Sequence, residues 1–133
     1  MCRSGAFLHG VSGAAALSIV CGLCLAFISA TADYLQGEIA RIMFVHVPSA
    51  WMAMGVYLAI AISAFGLLVF RHPLADVSAK AAAPIGAVFT FLALFTGSLW
   101  GKPTWGTYWV WDARLTSVRD LLAFSLGHVA LTH

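Results

Sequence analysis

Three stretches of this chain run for the thickness of a bilayer without a charged residue: 11–32, 44–70 and 81–101, with His46 in the second. A helix needs about 20 predominantly apolar residues to cross the hydrocarbon core. In lipid every backbone N–H and C=O must be satisfied within the segment, so such runs fold as helices. They are predicted as the first three spans. A weaker fourth run, 115–133, carries Arg119 and Asp120 near its start, where they can snorkel to an interface. The expected architecture is an all-α integral membrane protein with about four transmembrane helices. Residues 1–133 form a single membrane domain in this reading. The composition agrees: 62% of the 133 residues are hydrophobic and 9% charged, where soluble domains carry about 25% charged residues. A net charge of +2 and no Lys/Arg run give no argument for nucleic acid, and none is expected as a partner.

The connections are short. Residues 33–43 carry Asp33, Glu38 and Arg41 and are expected to hold a surface-lying helical turn, and 71–80 link spans two and three. Alternating spans put 33–43 and the segment after span three on one side. Arg3, Arg71 and Lys80 balance Arg41, Lys102 and Arg114, so cation counting leaves the orientation open. Ala30-Thr31-Ala32 resembles a small-residue cleavage site, but the apolar stretch is long for a signal peptide and is read as a retained span. Cys21 and Cys24 form a C-x-x-C inside an uncharged span. No cation lowers a thiol pKa there, and the pair reads as two small buried residues on one helix face. Gly10, Gly13, Gly22, Gly55 and Gly66 read as close-packing positions.

The segment 100–117 reads WGKPTWGTYWVWDARLTS and holds four of the five tryptophans. It is read as a loop. One account is an interfacial aromatic belt. The other is an aromatic shelf for a flat, apolar, anionic ligand: Trp100, Trp105, Trp109 and Trp111 stack on it, and Gly101 and Gly106 allow close approach. Arg114 and Lys102 are then candidates for its carboxylates. Asp112 reads as the N-cap of the fourth span or as a residue fixing the loop. His46 stands two residues before Pro48 and is placed at the entrance of the second span. It is either solvated or a metal ligand. Trp51, Met52 and Met54 read as packing, and His128 as a chance polar group near a chain end.

The form W-G-x-x-x-W-G-x-x-W-x-W-D-x-R-L-T, at Trp100, Gly101, Trp105, Gly106, Trp109, Trp111, Asp112, Arg114, Leu115 and Thr116, resembles the WWD segment of the CcmC family. That is the haem exporter protein C family of cytochrome c maturation. Residues 41–57, RIMFVHVPSAWMAMGVY, are similar to the same family. The resemblance implies six membrane helices and non-covalent haem b bound at a periplasmic WWD loop. His46 is implied as one of two axial iron ligands, the second lying beyond a fourth helix. On this ground the chain is expected to be truncated. The implied function is a carrier step rather than catalysis: haem binding and delivery to the chaperone CcmE, with CcmA, CcmB and CcmD, in the bacterial inner membrane. The alternatives from other classes are a structural subunit of an ABC-type exporter, anchored by its tryptophans, or a fragment that inserts and binds nothing.

Overall fold

The computed structural model describes the backbone of residues 2–132 and the side chains of 5–131. His133, the last residue of the expected fourth span, and the side chains of Cys2 and Arg3 lie outside the described residues. The chain is all helical. Helix α1 spans Cys2–Cys24 and continues as a π-helical turn, Leu25–Ser29; a 3-10 turn, Glu38–Ile42, precedes α2, Met43–Phe70; α3 is Pro73–Trp105 and α4 is Ala113–Thr132. Among the described residues, three segments are long and apolar enough to cross a membrane: Gly5–Ser29, Glu38–Phe70 and Pro73–Trp105. Helix α4 covers the fourth run through Thr132, with Arg114, Arg119 and Asp120 leaving it less apolar than these three.

The backbone packs as two compact units, residues 1–44 and 45–133. In the first, the expected surface turn is confined to Glu38–Ile42. Before it, Asp33 closes a tight turn by accepting from the backbone N–H groups of Leu35 at 2.8 Å and Gln36 at 2.9 Å. Those two N–H groups, Gln36 foremost, hold its carboxyl below the ordinary aspartate range. Arg41 donates to the carbonyls of Phe27 at 2.9 Å and Ala30 at 2.8 Å, and pairs with Glu38 at 2.8 Å. It thereby satisfies carbonyls that the end of the first helix leaves orphaned. Cys21 and Cys24 are exposed rather than buried. So are Gly10, Gly13 and Gly22, where an added Cβ would meet nothing within 4 Å. This helix presents its small residues outward because its own unit holds no second long helix to cover them.

The second unit begins with an antiparallel hairpin. The α2–α3 connection is only Arg71 and His72, with Pro73 opening α3 at its first turn. Asp76 and Lys80, expected in a loop, form an i,i+4 pair at 2.7 Å on α3 itself. Contacts then repeat along the hairpin. Gly66 faces Ala75, Ser63 Oγ meets Ser78 Oγ at 3.3 Å, and Gly86 lies against Val56 and Tyr57. α3 packs in turn against α4. Tyr57 ties the three helices together. Its hydroxyl lies 3.1 Å from Thr90 Oγ1, 2.7 Å from Ser125 Oγ and 3.2 Å from the carbonyl of Leu121. Thr90 also donates to the carbonyl of Gly86 at 2.7 Å, so a hydroxyl that is 1% exposed is satisfied. Trp51, Met52 and Met54 are exposed.

The up-and-down connection places the start of α2, the end of α3 and the start of α4 at one end of this unit. His46 and the tryptophans share that end. Tyr57→Phe removes the hydroxyl that bridges α2 to α4 while keeping the ring. It is expected to lower the unfolding free energy by about 0.6 kcal/mol and at most about 1.7 kcal/mol, read by denaturant titration in detergent. No change would mean that α4 is held without this tie.

Candidate functional site

The tryptophan segment is half helix and half loop. Its expected extent as a loop, 100–117, shrinks to Gly106–Asp112, because α3 continues through Trp105 and α4 starts at Ala113. Pro103 does not break the helix one turn from its end. Gly106 does: it takes φ +77°, and its N–H returns to the carbonyl of Lys102 at 2.9 Å. Lys102 Nζ donates to the carbonyl of Gly106 at 3.1 Å and closes the same turn.

Gly101 has a structural task as well. A Cβ there would stand 3.2 Å from Cε3 and 3.3 Å from Cζ3 of Trp105. The indole of Trp105 folds back across the helix over Gly101. The glycine therefore admits a neighbouring ring, where the sequence alone suggests that it admits a ligand. Each of the two Trp-Gly pairs thus shapes the end of α3.

The four rings do not form one flat shelf. Trp100 and Trp105 meet edge to face, with centroids 5.5 Å apart and planes at 86°. Trp109 and Trp111 do the same at 5.6 Å and 75°. Such T-shaped pairs are the favoured geometry of the aromatic quadrupole. Each pair presents one ring face and one ring edge. The exposed faces carry cations: Arg114 lies 5.6 Å from the Trp105 centroid, Arg119 5.4 Å from that of Trp111, and Lys102 5.1 Å from that of Tyr108. Arg119, read from the sequence as able to snorkel to an interface, is a third cation of this site. Its place follows from α4 starting at Ala113, which brings residue 119 to the helix entrance and back toward Trp111.

Asp112 is the N-cap of α4. Its Oδ1 accepts the backbone N–H of Leu115 at 2.7 Å, and its Oδ2 pairs with Arg114 at 3.3 Å. The Leu115 N–H, and then Arg114, hold this carboxyl below the ordinary aspartate range. The Arg114 side chain is 70% exposed, so the pair is weak and the guanidinium can exchange partners. Within the loop, Thr107 Oγ1 donates to the carbonyl of Trp109 at 3.1 Å. Trp109 Nε1 is buried and has no hydrogen-bond partner among the described residues. A buried indole N–H ordinarily finds an acceptor, so this donor points to an acceptor supplied from outside the chain.

His46 sits in the first turns of α2, which begins at Met43, so Pro48 falls in the second turn and not the first. The ring is half-buried against α3. Its Nδ1 is 3.0 Å from Thr96 Oγ1, and the Cβ position of Gly97 lies 3.0 Å from its Cε1. Thr96 and Gly97 stand one helical turn before Trp100 and Gly101, about 6 Å along the axis. The hairpin therefore brings His46 to the tryptophan-bearing end of α3. Neither Thr96 nor Gly97 stands out in the sequence. A threonine and a glycine in an apolar helix carry no signal of their own until the facing helix is known.

A planar group bearing carboxylates suits this end of the molecule. It meets a half-buried imidazole, edge-to-face indoles, an unsatisfied indole N–H, and Arg114 held by a weak pair, with Arg119 beside it bonded to Asp120 at 2.8 Å. Loss of the α4 cap checks the geometry on which the loop depends. Asp112→Ala is expected to speed hydrogen exchange of the Leu115 amide, while Asp112→Asn, which keeps an acceptor, retains most protection. A carboxyl whose pKa falls on folding stabilises the fold once ionised. Its contribution is complete above about pH 4 and is lost as pH drops below that range. Equal protection in all three proteins at neutral pH would contradict the cap.

The family model described as Heme exporter protein C, CcmC, matches residues 2–133. Heme exporter protein C of Bradyrhizobium diazoefficiens is 66% identical over 99 residues, which is 74% of this chain and 38% of that protein. The protein of the same name from Escherichia coli K12 is 49% identical over 129 residues, 97% of this chain and 53% of its own length. That from Paracoccus denitrificans is 47% identical over 131 residues, 98% of this chain and 54% of its own length. The chain thus spans about half the length, or less, of these relatives.

Proposed function

The chain belongs to the Heme exporter protein C family, and from that membership and the geometry of its site we propose that it handles haem for cytochrome c maturation. In this reading it binds haem b non-covalently at the end of the second unit, on the periplasmic face of the bacterial inner membrane, and delivers it to CcmE. CcmA, CcmB and CcmD are its partners, and its step is carriage and not catalysis. The observation that carries the reading is His46 packed on α3 one turn before Trp100. Histidine is a common axial ligand of haem iron, and His46 Nε2 has no hydrogen-bond partner among the described residues.

The other residues support the same cargo. Trp105, Trp109 and Trp111 offer ring faces and edges to an apolar macrocycle. Arg114 leaves its weak pair with Asp112 for a propionate, because guanidinium–carboxylate pairs form bidentate bonds with either partner. Arg119, now paired with Asp120 at 2.8 Å, and Lys102, now donating to the Gly106 carbonyl at 3.1 Å, are the neighbouring cations for the second propionate. Trp109 Nε1 donates to an acceptor on the cargo.

Haemin titration of the full-length protein in detergent, followed by the Soret band, tests the reading. His46→Ala is expected to weaken binding at least tenfold, and an unchanged titration removes His46 from the iron. Trp109→Phe keeps an aromatic ring and deletes the N–H. It should cost about 1 kcal/mol, roughly fivefold in affinity. If replacing Trp109 and Trp111 together by Phe leaves both binding and transfer to CcmE intact, the tryptophans are only an interfacial belt.

A further inference from the structure

We propose that Thr96 and Gly97 are positioning residues for His46: the Thr96 hydroxyl fixes which ring nitrogen is free, and Gly97 fixes where the ring stands. This rests on the reading of His46 as an iron ligand and adds the device that makes it one.

Counting protons fixes the tautomer. Thr96 has a single hydroxyl proton. Its Oγ1 lies 2.7 Å from the carbonyl oxygen of Leu92, 3.3 Å from that of Ala93 and 3.0 Å from His46 Nδ1. A carbonyl oxygen can only accept, so the threonine proton is committed to it and Oγ1 turns a lone pair to Nδ1. Nδ1 must then carry a proton. The opposite tautomer would leave two acceptor oxygens 2.7 Å apart with no hydrogen between them. Neutral His46 is therefore protonated at Nδ1, and its in-plane lone pair is on Nε2, at the far side of the ring from Thr96. Donation from the second nitrogen of a ligating imidazole orients the ring and makes it more basic.

Gly97 bounds the ring on its Cε1 edge. A Cβ there would lie 3.0 Å from Cε1, 3.5 Å from Nδ1 and 4.0 Å from Nε2. A methyl group would make the imidazole give way by a few tenths of an ångström, at the expense of the bond to Thr96. Thr96 is buried and hydrogen-bonded within its own helix, so it is a firm anchor. The Thr-Gly pair on α3 thus holds a residue of α2 in one orientation and one tautomer.

The experiment compares variants of the full-length protein by haemin affinity and by the ferric–ferrous potential of bound haem. Thr96→Val keeps the β-branched shape and deletes the hydroxyl. Binding is expected to weaken about 10–100-fold. The potential is expected to rise, because the less basic imidazole favours ferric iron less. A tenfold greater loss on the ferric than on the ferrous form corresponds to about 59 mV. Thr96→Ser restores the hydroxyl and should match the parent in both readouts. Gly97→Ala should weaken binding with the hydroxyl still present. The proposal is overturned if Thr96→Val behaves as the parent, or if Thr96→Ser fails as badly as Thr96→Val, which would make the site one of volume. Parent-like binding by Gly97→Ala removes Gly97 from it. His46→Ala runs alongside: if that variant binds haemin normally, the ligand assignment itself falls, a result distinct from a silent Thr96→Val.

Discussion

The close antiparallel register of α2 on α3 is the constraint on which the site depends. It is set by a turn of two residues, Arg71 and His72, and by small groups facing each other along the seam: Gly66 with Ala75, Ser63 with Ser78, and Gly86 with Val56. Helices in lipid gain little from burying apolar surface, since lipid is equally apolar, so close backbone approach and hydrogen bonds carry the association. In this hairpin those two resources recur from the turn to the far end. There the seam finishes on His46, Thr96 and Gly97. A slip of one residue would carry the imidazole off the threonine hydroxyl, by the roughly 100° that each residue turns about the helix axis.

Hydroxyls recur in this architecture as satisfied polar groups inside apolar helices. Thr90, Thr96 and Ser49 each return a proton to a carbonyl one turn back. At Thr96 an oxygen lone pair then faces His46, and Thr90 Oγ1 meets the Tyr57 hydroxyl that docks α4. Both are the same solution to the cost of burying a polar group. Above the seam, Asp112 caps α4, Gly106 ends α3, and the short loop between them holds the tryptophans in two edge-to-face pairs.

Much of this could be read from the residues. Uncharged runs announce membrane helices because lipid leaves the backbone no alternative, and the spacing of Trp100 to Thr116 marks the family outright. A cap is one of the readings the chemistry of Asp112 allows, and its bond to the Leu115 N–H selects it. Other features needed the structure. The helix runs on to Trp105 past Pro103 and Gly101, whose local preferences suggest a loop. Gly101 makes room for Trp105, which no spacing rule announces. Cys21 and Cys24 are exposed, since burial depends on whether a neighbouring helix exists and not on the residue. Thr96 and Gly97 are silent in the sequence because their meaning lies entirely in the ring they face across the hairpin.

The central claim is that α3 presents His46 to the cargo through Nε2 while holding it by Nδ1. The most direct measurement is a high-resolution structure of the full-length protein loaded with haemin. Such a structure is expected to show iron on His46 Nε2, the Thr96 hydroxyl still bonded to Nδ1, and the indoles of Trp105, Trp109 and Trp111 against the porphyrin. Iron bound through Nδ1, or an imidazole turned away from Thr96 with iron held elsewhere, would contradict it.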